Sequence, residues 1–208
     1  NIAKKNQVHL ILGSGVDEKN FNLENENDIN LNVLLASRML WSKGIKEFVE
    51  AAEIVNRSHP LVNFIIAGRI DNKNPDGVNE NYLKNISSKG YIKWIGHTEE
   101  MKKLFTLSNI VCLPTFYGEG IPKVIIEACA SRRAVITSNI AGCREIVEDG
   151  FNGILIEPKN SKQLASAIVK LISSTDLRHK YGLNGRKLVQ SKFSLDIINR
   201  QTLELYNL

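Results

Sequence analysis

Apolar and polar residues fall in alternating blocks along this chain, and two block types recur. Residues 32–37 (NVLLAS) are a continuous apolar run bounded by polar positions. A run of that length without internal alternation predicts a strand buried on both faces. In residues 44–57, Ile45, Phe48, Val49, Ala52, Ile54 and Val55 return on a helical stripe, predicting an amphipathic helix. The same pair then repeats: strand 61–67 (LVNFIIA), loop 68–80, helix 80–88, strand 91–95 (YIKWI), helix 98–107 and strand 110–113 (IVCL). It continues with helix 122–131, strand 134–138 (AVITS), a short helix near 144–148 and strand 153–156 (GILI). Helical patterns at about 161–173, 175–191 and 195–206 close the chain.

Strands alternating with helices, and apolar throughout, predict a Rossmann-like doubly wound α/β domain, its parallel sheet covered on both faces. No internal repeat of fixed period accompanies it. Upstream, residues 7–12 (QVHLIL) form a short apolar run, and residues 18–30 are acidic, Asn-rich and without apolar period. The organisation expected is therefore an interdomain segment or linker over 1–30, a ligand-binding domain over 31–190 and a C-terminal helix over 191–208.

Composition adds limits. At 208 residues, 43% hydrophobic and 24% charged, the chain is of globular type and long enough for a real core. No apolar run reaches the ~20 residues of a bilayer span. The net charge of +5 suits an anionic small partner but is too small to indicate nucleic acid. Cys112, Cys129 and Cys143 are odd in number and lack metal-ligand spacing, which fits a reducing compartment and a cytoplasmic location. The chain starts at Asn1 with no signal-peptide pattern, and is expected to be part of a longer protein.

In a doubly wound sheet ligands bind beyond the carboxyl ends of the strands. Those positions hold Arg38 with Lys43-Gly44, Gly68-Arg69, Gly96-His97-Thr98-Glu99, the stretch from Pro114 to Pro122, and Asn139 to Glu145. Glycines and cations converge on one edge, which predicts a phosphorylated ligand. Arg38 and Lys43 suit a diphosphate, although as an isolated pair they read first as a solvated surface near a helix start. Residues 119–127 (EGIPKVIIE) are the most informative. Pro122 fits a first helical position, leaving the amides of Gly120, Ile121 and Lys123 facing phosphate or sugar oxygens. Glu127, in the second turn of an apolar helix, lies either on a solvent stripe or in the crevice holding hydroxyls.

Other chemistries lack their residues. No Gly-x-Gly-x-x-Gly follows a strand and no Walker-type Gly-Lys-Ser/Thr is present. The segment from Asn72 to Gly77 looks like a calcium loop, but Leu83 stands where a bidentate Glu is required, so it reads as a turn. No His/Cys/carboxylate set has zinc spacing. Of the four histidines, His97 alone falls on the ligand edge. Trp41 and Trp94 read as packing residues.

Taken together, these stretches resemble the C-terminal, donor-binding half of retaining GT-B glycosyltransferases of the family-4 type, in particular bacterial capsule and surface-polysaccharide enzymes. Ala36-Ser37-Arg38 with Lys43-Gly44 is similar to that family's diphosphate motif, and Glu119 with Glu127 to its spaced glutamate pair. Gly142-Cys143-Arg144-Glu145-Ile146-Val147 and Gly150-Phe151-Asn152-Gly153 match its following stretch, and Gly13-Ser14-Gly15-Val16-Asp17 its interdomain junction. The chain departs at Arg132 and Ala134, where the family has Gly and Pro, and at Ala141, a frequent Gly.

The resemblance implies a nucleotide-sugar substrate, UDP-linked by preference, and no metal or other cofactor. It implies that Arg38 and Lys43 neutralise the leaving diphosphate, Glu119 contacts donor-sugar hydroxyls and Glu127 the ribose. The amides around 120–123, those of Gly120, Ile121 and Lys123 with Pro122 set between them, would hold sugar and phosphate, and the backbone at 95–97, with Gly96 and His97, the base. An N-terminal acceptor domain is implied, with a saccharide or lipid-linked acceptor and any peripheral membrane contact made through that half. Two other functions fit the same crevice: a non-catalytic nucleotide-sensing or interaction domain, and a GT-B-type nucleotide-sugar epimerase.

Overall fold

A computed structural model describes residues 11, 15–23, 31–118 and 120–206. Glu119, Gly13 and Ser14 of the junction motif, most of the 7–12 run and residues 24–30 lie outside the described residues.

Among the described residues, β1 (Asn32–Ala36), β2 (Asn63–Ala67), β3 (Ile92–Trp94), β4 (Ile110–Leu113), β5 (Ala134–Ser138) and β6 (Gly153–Ile156) form one sheet. Its order is β3-β2-β1-β4-β5-β6 and every pairing is parallel. The helices are α1 (Ile45–Asn56), α2 (Glu80–Ser87), α3 (Met101–Leu107), α4 (Lys123–Ala130), α5 (Ala141–Arg144), α6 (Ser161–Ile172), α7 (Thr175–Lys192) and α8 (Leu195–Leu205).

Strand β1 shows why its run is apolar at every position. Successive side chains point to opposite faces. Val33 and Leu35 enter a core shared with Phe48, Ala52 and Val55 of α1 and Ile168 and Leu171 of α6. Leu34 and Ala36 enter a second core, with Phe105 of α3, Ile125 of α4 and Val189 of α7. Each face is covered, so no position of the strand is left for a polar residue. The doubly wound architecture expected from the alternation is the one observed.

Three boundaries differ from the expectation in ways that touch the site. Helix α3 begins at Met101, not at 98, so His97 and Thr98 stay on a loop. Helix α4 begins at Lys123, and Pro122 is its N-cap in extended conformation rather than its first helical residue. The short helix expected near 144–148 is displaced to Ala141–Arg144, where the Arg144 guanidinium donates to the Asn139 carbonyl oxygen and Oδ1.

Of the segment read as linker, residues 15–23 pack on the domain. The Val16 N–H donates to the Phe193 carbonyl at 2.9 Å and the Val16 carbonyl accepts from Leu195 N–H at 3.0 Å. Phe21 meets Phe105 edge-on, ring centres 5.9 Å apart.

Candidate functional site

Strand order reverses at β1, which has β2 on one side and β4 on the other. Above that switch point lies a cavity of about 510 Å³, within the ~300–1,000 Å³ of small-ligand sites. Its walls come from four places: Ala36, Ser37 and Arg38 after β1; the stretch from Ala67 to Asp71 after β2; His97, Thr98 and Met101 around the start of α3; and Val124 and Glu127 on α4.

The first wall continues into a tight cationic loop. After Arg38, residues Met39 and Leu40 bridge to Ile70 and Gly77, and Trp41–Lys43 form one 3₁₀ turn. Gly44 ends it at φ +80° and starts α1. A Cβ there would run into the Pro114 carbonyl oxygen, so a side chain is barred by both backbone conformation and space. Gly68, at φ +150°, faces the same obstacle at the Ser37 carbonyl, while its own carbonyl accepts from Trp94 Nε1 at 3.2 Å. It is therefore a close contact between two loops. Trp94 packs as expected, and so does Trp41, edge-on to Tyr82 at 4.9 Å.

Arg38 is solvent-facing and lies 3.9 Å from the Asp71 carboxylate. Lys43 sits deeper. Burial, reinforced by the Arg38 charge, holds its ammonium below the usual lysine range, while Cys143 and Asp76 oppose that. The loop thus holds two like charges close together, an arrangement that an anionic ligand would relieve.

The second key wall resolves the choice left open for Glu127. Its carboxylate lines the cavity and is only 13% exposed, 3.7 Å from Lys123 Nζ. Burial raises its pKa, and Lys123 partly offsets the rise. The α4 N-cap carries no side-chain acceptor for the helix amides, which leaves the start of α4 with its positive dipole end available to an anion.

Arg38, His97 and Glu127 thus meet at one cavity. Gly96 adjoins it, its carbonyl accepting from Gly68 N–H at 2.7 Å. Gly120, Ile121 and Pro122 lead into α4 and Lys123 opens it. Lys43, in the 3₁₀ turn that follows Arg38, is not one of the residues that line the cavity, and Glu119 lies outside the described residues.

Arg69, which the sequence placed on the ligand edge, lines the cavity, and sequence reasoning missed Asp71 and Met101 there. The signal for Asp71 was its place after β2; Met101 carried none. Among the described residues, no group of three or more His, Cys, Asp or Glu is arranged to hold a metal ion, and no helix is long and apolar enough to cross a membrane.

Residues 6–188 match the family described as Glycosyl transferases group 1. The capsular polysaccharide biosynthesis glycosyltransferase CapM of Staphylococcus aureus is 30% identical over all of this chain and 57% of its own length. The N,N'-diacetylbacillosaminyl-diphospho-undecaprenol alpha-1,3-N-acetylgalactosaminyltransferase of Campylobacter jejuni is 28% identical over 98% of the chain and 55% of its own length. The chain therefore spans a little over half the length of these relatives. Among solved structures, Anabaena HepE in complex with UDP superposes with a TM-score of 0.84, covering 95% of this chain and 57% of that one at 23% identity, a likeness of fold.

Proposed function

The chain belongs to the glycosyl transferases group 1, and from that premise we propose that it is the donor-binding half of a retaining glycosyltransferase, moving a sugar from a nucleotide sugar to a saccharide or lipid-linked acceptor. The observation that carries this is one cavity at the strand-order reversal, walled by Arg38 on one loop and Glu127 on α4. UDP is the nucleoside diphosphate proposed, supported by the UDP bound in the similarly folded HepE.

In this reading the bond between the anomeric carbon and the diphosphate oxygen breaks, and the diphosphate leaves with the electron pair. Arg38 and Lys43 take up that charge as it develops, the largest catalytic term available to such a site. Glu127 accepts hydrogen bonds from the ribose, Glu119 from donor-sugar hydroxyls, and the amides of Gly120, Ile121 and Lys123 hold sugar and phosphate. The backbone at 95–97 meets the base. The acceptor hydroxyl forms its new bond on the face the diphosphate left and passes its proton to an oxygen of the departing diphosphate. The reaction is proposed to need no metal, since both anion-neutralising groups are side chains. The acceptor site, and any membrane contact, belong to an N-terminal domain of the kind that the relatives' greater length leaves room for. The compartment proposed is cytoplasmic, supported by three buried free thiols.

A thermal-shift panel of UDP, GDP and ADP, with and without magnesium, tests this. One nucleoside diphosphate should stabilise the chain by ~2.7 kcal/mol at a hundred times its Kd, equally in both conditions, and Arg38→Ala should remove most of the shift. A panel flat for all three overturns the reading.

A further inference from the structure

Ser42 lies one residue before Lys43 and has all its polar groups taken by other loops. Its N–H donates to Asp76 Oδ2 at 3.0 Å and its hydroxyl donates to the same oxygen. Its carbonyl accepts from Phe116 N–H at 3.0 Å and from Thr115 Oγ1 at 3.0 Å. Asp76 holds the turn a second time, its own carbonyl accepting from Trp41 N–H at 2.9 Å. Asp76 is in turn fixed by its N–H, which donates to Asn74 Oδ1 at 3.0 Å.

A carboxylate that served only to close the 71–77 turn would bond within that turn. This one reaches across 34 residues of chain to the serine beside Lys43, and the opposite side of that serine is bonded to the loop that runs on toward Gly120. Two-sided bonding of this kind fixes the backbone of the 3₁₀ turn, and with it the origin of the lysine side chain. A flexible four-carbon stem gains most from a fixed origin. The negative charge also keeps Lys43 more protonated than burial alone would allow.

We propose that Asp76, acting through Ser42, is a positioning residue that sets Lys43 for the diphosphate and ties the cationic loop to the loop leading to the sugar subsite. This rests on the donor-site reading above. Calorimetric titration with UDP tests it on the whole chain and its variants. Asp76→Ala should weaken UDP binding about tenfold, yet by less than about twofold when Lys43→Ala is already present, because the two residues act as one unit. Ser42→Ala, a smaller lesion, should show the same dependence on Lys43 at about threefold, and serves if Asp76→Ala fails to fold.

An unchanged affinity, or an equal loss with and without Lys43, overturns the proposal, since a residue that merely supports the fold would cost the same in both backgrounds. Failure of the unsubstituted chain to bind UDP, GDP or ADP overturns the donor-site reading and this inference with it.

Discussion

At the scale of single residues, Glu127 occupies a position that serves a ligand better than it serves the fold. Its carboxyl is buried among α4 and the cavity wall, and its pKa is raised. A group whose native pKa lies above its unfolded one contributes stability below the ordinary carboxylate range and loses it as pH rises through the raised value. Above that raised value the contribution is gone. Glu127→Gln, neutral throughout, should therefore melt about 1–3 °C higher once the pH exceeds the raised value, with the gain fading below the ordinary carboxylate range, while UDP affinity falls about tenfold. Melting curves across pH, alongside UDP titration, check both halves.

The direction of this side chain was not legible in the sequence, because a helical position between Ile126 and Ala128 fits either the edge of a solvent stripe or a crevice wall. Asp76 was less legible still. Its partner Ser42 is 34 residues away, and a loop of Asn, Asp, Pro and Gly presents the composition of any surface turn.

At the scale of elements, three buried arginines each meet the C-terminal carbonyls of a helix. Arg178 Nη1 donates to the Leu171 and Ile172 carbonyls of α6 at 2.8 and 3.3 Å. Arg133 Nε donates to the Phe105 carbonyl of α3 at 2.6 Å, and Arg186 Nη1 to the Ala130 carbonyl of α4. These carbonyls lie in the last turn of their helices, where amide donors run short, and carry the negative end of the helix dipole.

Because each of these helices runs back against its strand, the three arginines sit at the edge of the sheet away from the cavity. Arg178→Met should cost about 2–4 kcal/mol in urea unfolding, as buried acceptors lose a charged donor, and leave UDP affinity unchanged. The strands themselves were legible, since burial on both faces demands an apolar residue at nearly every position, a pattern that surface strands and amphipathic helices do not share. Helix starts were less so. Pro122 suits either the cap or the first turn, and α5 is too short for periodicity to place it.

At the scale of the molecule, the sheet is clamped between two cores, and the strap of residues 15–23 closes one of them. Val16 is 3% exposed and Leu23 8%, and Arg186 Nη1 donates to the Glu18 carbonyl at 3.1 Å. Polar, Asn-rich composition hid this, because only a few apolar residues in the segment make the contact. Val16→Ala keeps the backbone pairing to Phe193 and Leu195 but removes a buried isopropyl group. It should cost about 1–2 kcal/mol, measured by urea unfolding, and a loss of that size shows the strap to be part of this folding unit.

The serine bonded on both sides has one more consequence, for how such a site can diversify. The loops around it are interlocked: one backbone carbonyl is shared by the segment after β4, and one side chain is shared by the segment after β2. A chimera that grafts a relative's sugar-facing loop alone would import new partners for Ser42 while keeping the old carboxylate. Changes in donor choice in this scaffold are therefore expected to travel as sets of loops, inherited together.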